Sequence, residues 1–409
     1  MHRGVVLAVC VLVAALMGCT PATPAPTPTA LEASPIALSV NGGVAGQTVR
    51  IGVVAAPVAG EGSQWRAAGE GAVVAQYRFG MGGTEIEIVT ALDGGTADSV
   101  RRALADLNGQ AVSGIVMLSA GPHVRQALLD NTSAAPVLVP YDPGATGPGV
   151  WATGSTATAQ SAAIRSTLEQ LGVSAPFVIA GEATATGSLP ADPVAYAQGE
   201  ALPKRIVESV EIGTSDSIVI AASAREQAAL VTALSGRLGQ RQVPIVVTGD
   251  ALSPQFRQEI ARSGLPSAPL IAVGTNTDDA VALTATDAGR RMSAFATANR
   301  LASGDPDCTD LFGDEPYATA ALWADTASHD AVVSLVRAAE HAGSATPADV
   351  SSALAAMVVG PGDGLAGPTL DFTSPGALAA QDVVALHAAV QRLGLRPGEN
   401  AATVHWFEV

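Results

Sequence analysis

The sequence predicts an α/β protein of two βα-repeating lobes, each a parallel sheet flanked by helices. Three observations predict it. Short apolar runs rich in valine and isoleucine recur at strand length, stretches with apolar residues every third or fourth position separate them, and a Gly/Pro-rich stretch at residues 143–149 divides the series in two. A strand that is apolar on both faces needs cover on both, which a parallel sheet between two helix layers supplies. At 409 residues the chain is long enough to bury two cores.

In the first series residues 49–56 are a continuous apolar run of strand length, and residues 65–79 follow as a helix. Residues 84–90 alternate as a strand, after which Val100, Leu104 and Leu107 fall on one helical face. Residues 112–119 read as a buried strand, 122–129 as a helix opened by Pro122, and 136–140 as a short strand. In the second series Ile164, Leu168 and Leu171 make a helix face stopped by Gly172, and residues 177–180, 206–212 and 217–222 read as strands. Ser223 and Glu226 have the spacing of a capping box. Residues 243–248 are a strand, Ser253-Pro254 opens a helix that ends near Gly264, and residues 270–274 are a further strand. In the tail, Pro316 opens a long helix to about residue 342 and Thr346-Pro347 caps another. Strand candidates return at 369–372, 383–387 and 404–409. These elements are too few for a third domain, so they are expected to complete the two lobes. The chain then crosses between lobes more than once, with residues 48–148 and 281–355 in lobe 1 and residues 149–280 and 356–409 in lobe 2.

Residues 1–47 stand outside this series. The apolar run from Gly4 to Gly18 follows His2 and Arg3, and its length suits a signal peptide (residues 1–18) better than a membrane span. It ends in Leu16-Met17-Gly18-Cys19, which resembles a bacterial lipobox and makes Cys19 the expected site of lipidation. The prolines of residues 19–47 remove donors and fix φ, so this stretch is expected to be a stiff tether from a membrane, with folded sequence starting near Thr48. With Cys10 lost in the signal, Cys308 is the one thiol left beyond Cys19, too few for a cysteine metal site. A net charge of −16 and a single lysine, Lys204, leave no basic surface for phosphates, which excludes nucleic acid as a partner.

A series of stretches occurs in order: Arg50-Ile51-Gly52-Val53 running into Pro57-Val58-Ala59-Gly60, residues 69–73, 116–121 and 135–140, and the segment 243–250. His329-Asp330-Ala331-Val332 and Gly367-Pro368-Thr369-Leu370-Asp371-Phe372 complete the set. Together they resemble the branched-chain amino-acid-binding family of type I periplasmic binding proteins, the solute-binding components of ABC importers. The resemblance covers roughly residues 48–390 and implies two Rossmann-like lobes joined by a multi-strand hinge. Ligand would bind in the cleft outside the carboxyl ends of the strands, and hinge closure would bury it.

Carried over residue by residue, Ser119, Ala120 and Gly121 match the turn that receives an amino acid's α-carboxylate. Unpaired N–H groups where a helix opens favour an anion independently of any family. Tyr141 and Asp142 match the next cleft loop, and Asp250 aligns with the acid that pairs with the α-ammonium group. Trp65 and Ser223 are further candidates for the pocket wall. Each has a plainer reading: Ser119 and Ser223 as helix caps, Trp65 as core, Tyr141 and Asp142 as turn residues before Pro143, Asp250 as a solvated loop acid. The sequence departs from the family pattern at Gly181-Glu182-Ala183-Thr184-Ala185-Thr186-Gly187, where an aromatic is usual, and at Asp142, whose charge would repel a carboxylate. A cationic, zwitterionic or sugar-like ligand therefore fits at least as well as a branched-chain amino acid.

No Gly-x-Ser-x-Gly elbow, Walker lysine, paired histidines or spaced oxygen ligands occur, and no cofactor motif is present. Residues 305–310 read as a solvated acidic loop. The expected function is capture of a small polar or amino-acid-like ligand at the extracytoplasmic face of the membrane, for an ABC permease and without catalysis. The alternative is a non-transport envelope sensor or interaction protein on the same scaffold.

Overall fold

The structure, a computed structural model, describes residues 32–41, 44, 47–60, 62–182, 187–239, 241–390, 393–397 and 406–409. The expected signal peptide, Cys19 and most of the tether lie outside the described residues. The first sheet begins with β1 (Val49–Ala55), whose residues are buried except Arg50. A 3-10 turn, Ser63–Glu70, leads into α1 (Gly71–Met81), and β2 (Ile86–Leu92), α2 (Ala97–Gly109), β3 (Gly114–Met117), α3 (Pro122–Leu129), β4 (Val137–Val139) and β5 (Val150–Ala152) follow. The five strands are parallel in the order β2-β1-β3-β4-β5. Alternation divides each strand between two cores. Ile51 and Val53 of β1 pack on one face, while Val54 joins Ile115, Met117, Val137 and Val139 under Val100, Leu104 and Leu107 of α2 on the other.

The chain then crosses to the second sheet. Here α4 (Ala157–Leu171) precedes β6 (Pro176–Ala180), β7 (Val194–Ala195), α5 (Ala201–Glu211), β8 (Ser217–Ala221), α6 (Ala224–Ser235), β9 (Ile245–Val247), α7 (Pro254–Ser263) and β10 (Leu270–Thr275). It returns to the first sheet with α8 (Asp287–Gly304), α9 (Thr326–Ala342) and α10 (Pro347–Leu354), which pack about α1 and β3. A small antiparallel pair, β11 (Val358–Val359) and β12 (Leu370–Asp371), follows. Then β13 (Val383–Ala389), antiparallel to β10, and β14 (Trp406–Glu408), antiparallel to β13, extend the second sheet, giving the order β14-β13-β10-β9-β8-β6-β7. Ile218 and Ile220 of β8 face the outer core and Val219 between them faces the inner one, the two-residue period of a doubly covered sheet.

Four expectations change, and one helix was not foreseen. Residues 206–212, read as a strand from their Ile and Val content, belong to α5, where Leu202, Pro203 and Ile206 make a helical face and Glu208 points to solvent. The helix expected from Pro316 is broken into 3-10 turns at Tyr317–Thr319 and Ala321–Trp323, and α9 starts only where the Asp325 carboxylate accepts from the Ala327 N–H at 2.8 Å. Eighteen residues of α8 had no sequence signal, because its buried face is mostly alanine and glycine around Met292 and Phe295. β5 pairs with β4, so the chain leaves the first sheet after Ala152, beyond the boundary expected at 149; residues 375–377 also bond to Ala152, later than the boundary expected at 356. Finally, the described end of the tether is seated on the body: Leu38 and Val44 are buried, and Arg78 of α1 donates to the carbonyls of Pro35 and Ile36 at 3.1 and 2.8 Å.

Candidate functional site

The carboxyl ends of β1, β3 and β4 face those of β8, β9 and β10, and the loops that follow them line two adjoining cavities of about 100 and 270 Å³. Asp250 and Pro143 belong to the walls of both. The turn after β1 passes so close to the turn after β3 that a Cβ on Gly62 would lie 2.5 Å from the Ala120 carbonyl, and Gly62 has φ of +81°. That approach brings Trp65 against Tyr141, with ring centroids 4.3 Å apart and planes 5° from parallel. The Tyr141 hydroxyl donates to Asp325 at 2.9 Å, so the stacked pair is fixed to the cap of α9. Trp65 and Tyr141 line the smaller cavity, and Ala120, Gly121, Asp142 and Ser223 the larger one.

The turn that opens α3 was expected to receive a ligand's carboxylate. In the structure a carboxylate is already there, and it is the protein's own. Asp142, nearly fully buried, accepts from the Gly121 N–H at 2.7 Å through one oxygen and from the Gly144 N–H at 2.9 Å through the other, with the Arg125 guanidinium 3.6 Å away. Ser119 is fully buried and lines neither cavity; its hydroxyl faces Asp93, which the neighbouring His123 ring, 2.8 Å away, holds below the usual carboxylate range. Ser223 stands at the wall, but its N–H and hydroxyl both bind Glu226 Oε2, at 3.0 and 2.9 Å, in the capping box.

Asp250 differs from all of these. It sits in the 3-10 turn Gly249–Leu252 after β9, anchored by the Gly249 N–H donating to Gln160 at 3.1 Å, and is partly exposed to the cavities. Desolvation, and then the Asp142 charge, push its carboxyl up to about 7, against the opposing influence of the Trp65 indole, the Gln64 amide and Arg125. The Trp65 indole N–H is buried without a well-formed hydrogen bond. An acid in this state favours a cationic or hydrogen-bonding partner that arrives with the ligand.

Sequence reasoning missed the inner end of the smaller cavity. Arg396 Nε there donates to both carboxylate oxygens of Asp279, at 2.8 and 2.9 Å, and Trp406 lies within 5 Å of both the Arg257 and Arg396 guanidinium carbons. These residues come from four distant segments and carry no local motif, so only the fold assembles them. Gln64, Arg125, Arg225 and Gln255 of the larger cavity were missed for the same reason. Of the unusual segment at 181–187, residues 183–186 lie outside the described residues.

No protein-family model matches the chain, and no curated protein matches it in sequence. Solved structures match it in fold. A leucine binding protein of Thermotoga maritima superposes with a TM-score of 0.60 at 18% identity, covering 88% of this chain and 98% of its own. A type 1 periplasmic binding protein of Bordetella pertussis gives 0.60 at 17%, covering 84% and 97%. A Rhodopseudomonas palustris solute binding protein in complex with 4-hydroxybenzoate gives 0.59 at 16%, covering 88% and 98%. The chain has the type I periplasmic binding protein fold.

Proposed function

We propose that this protein is an extracytoplasmic solute-binding protein, lipid-anchored through Cys19, that captures a small polar ligand between its lobes and presents it to an ABC permease. The observation that carries the reading is Asp250, a carboxylate set between two cavities at the strand ends of both lobes and facing the buried indole N–H of Trp65. A built polar group left open to a cleft is the mark of a ligand site rather than of packing. The capped Ser223 and the internally bonded Asp142 shape that cleft without offering free charge. The solved structures with this fold include proteins whose ligands are isoleucine and 4-hydroxybenzoate, so the scaffold accommodates chemically different solutes.

The test is a thermal-shift screen of the mature chain with Cys19→Ser, against amino acids, amines, sugars, nucleosides and cell-wall fragments. A ligand at a hundred times its dissociation constant stabilises the native state by about 2.7 kcal/mol, a clear rise in Tm. Silence across the library from well-folded protein would move the reading to an envelope sensor that binds another macromolecule. The anchor is tested separately: in the producing cell Cys19→Ser should release soluble protein, and persistent membrane attachment would refute lipidation at that residue.

A further inference from the structure

We propose that the cleft selects a small organic ammonium ion that carries no carboxylate, because Asp142 fills the carboxylate seat from within and Asp250 is left to hold the positive charge. The inference rests on the solute-binding reading and names the class of solute.

The seat is occupied in detail. At the turn after β3 the Gly121 N–H, which opens α3, is 2.7 Å from Asp142 Oδ2, and Oδ1 takes the Gly144 N–H at 2.9 Å. Arg125, on the first turn of α3, lies 3.6 Å from the same carboxylate. A ligand carboxylate entering here would meet a fixed carboxylate with its donors already engaged, at a distance where like charges in a partly desolvated site repel strongly. The same side chain that excludes an anion adds its field to the opposite wall.

On that wall Asp250 has no ion pair among the described residues. The other cations of the two cavities are committed or solvated. Arg257 lies 3.4 Å from Asp278 and over Trp406, Arg396 is paired with Asp279 through its Nε, and Arg225 is exposed. Among the described residues of the larger cavity, one carboxylate is therefore neutralised, Asp142 by Arg125, and one, Asp250, is uncompensated. Beside it the stacked Trp65 and Tyr141 rings give the adjoining cavity an aromatic wall, and a carboxylate next to aromatic surface is a recognised way of holding ammonium ions. Volumes of about 100 and 270 Å³ restrict the ligand to a small molecule. A bare metal ion does not fit, since no group of three ligating side chains occurs among the described residues.

The experiment uses matched pairs of probes that differ only by a carboxylate, titrated calorimetrically into the mature Cys19→Ser protein: isoamylamine with leucine, ethanolamine with serine, cadaverine with lysine, agmatine with arginine. Choline and a panel of neutral sugars complete the set. The expected result is that an amine binds and its amino acid binds at least about tenfold more weakly, and that Asp250→Asn abolishes the amine's binding. In Asp142→Ala the vacated seat should take acetate, seen as a Tm raised by millimolar acetate in the variant and not in the parent. If the amino acid binds as tightly as its amine, or only sugars bind, the inference is overturned while solute binding stands. If neither amines, amino acids nor sugars bind, both fall. Failure of Asp142→Ala to fold leaves the comparison of pairs in the parent protein decisive.

Discussion

At the scale of single residues, the site was half legible. Asp250 and Tyr141 could be named through the resemblance, which matches their segments to cleft positions, and Trp65 as a candidate for the pocket wall beside a plainer core reading. What Asp142 does could not, since its partners Gly121 and Gly144 are backbone donors brought to it by a turn 21 residues away and one next door. Asp250 carries the sharpest prediction. Asp250→Ala should weaken ligand binding by about tenfold or more, roughly 1.4 kcal/mol, as measured by calorimetry, with little loss of Tm because no ion pair among the described residues holds the native carboxylate. Its pH behaviour follows from a folded value of about 7, above the unfolded carboxylate range. The folded state binds the proton more tightly, so its contribution to stability is full below the unfolded value and is lost as the pH rises toward 7. The charged groups facing it are Asp142 and Arg125 from the first lobe, and Arg225 and Arg257 line the same cavities from the second. Asp250→Asn should remove that slope, so the parent's Tm minus the variant's should fall between pH 4.5 and 7.5. A difference that stays flat would place Asp250 in open solvent. Glu70, also pushed up to about 8 by burial, slopes the same way in both proteins and cancels in the difference.

At the scale of elements, strands announced themselves because their apolar runs are continuous and bounded by turn residues. Helices did so only where their buried face is made of large side chains. α2 and α7 have both a cap and a periodic apolar face; Ser253, for example, accepts from the Phe256 N–H at 3.3 Å, and Phe256 and Ile260 are buried beyond it. α8 buries alanines, which leave no contrast between faces, and α5 is rich in β-branched residues whose propensity points to strand while their spacing points to helix. The two readings of α5 differ in a measurable way. A strand would put Ile206 and Glu208 on one face; the helix buries Ile206 completely and leaves Glu208 exposed. Ile206→Ala should therefore lower stability by about 2–4 kcal/mol and Glu208→Ala by less than about 0.5 kcal/mol. Chemical denaturation of the two variants measures both. Comparable losses from the two would return the segment to a strand.

At the scale of the whole molecule, the two lobes are tied together by the tail, which was expected to complete both. The tail returns to both sheets, and Arg396, between β13 and β14, donates to the carbonyl of Leu322 on the first-sheet side while it pairs with Asp279. The segment before β1 is tied down in the same manner. Arg78 is nearly fully buried in α1, and burial lowers its value to about 10, so it remains charged at neutral pH and its desolvation is offset by its partners. Those partners are the carbonyls of Pro35, Ile36 and Gly364 and the ring of His329 at 2.9 Å. Because a guanidinium only donates, His329 Nε2 accepts from it and Nδ1–H donates to Asp330 at 2.7 Å; Asp330 in turn accepts from the N–H groups of Ala366 and Gly367, and Asp330 and Gly367 line the smaller cavity. The docked segment is thus joined to the cleft wall by an unbroken line of hydrogen bonds. A mature chain shortened to begin at residue 42 loses two of the carbonyls that hold the Arg78 charge, and two hydrogen bonds to a buried cation are worth about 3 kcal/mol together. Its urea midpoint should fall accordingly relative to a chain beginning at residue 32, and Arg78→Met in the shortened chain should restore part of the loss by removing the unpaired charge. Equal midpoints for the two lengths would show that residues 32–41 act as tether alone.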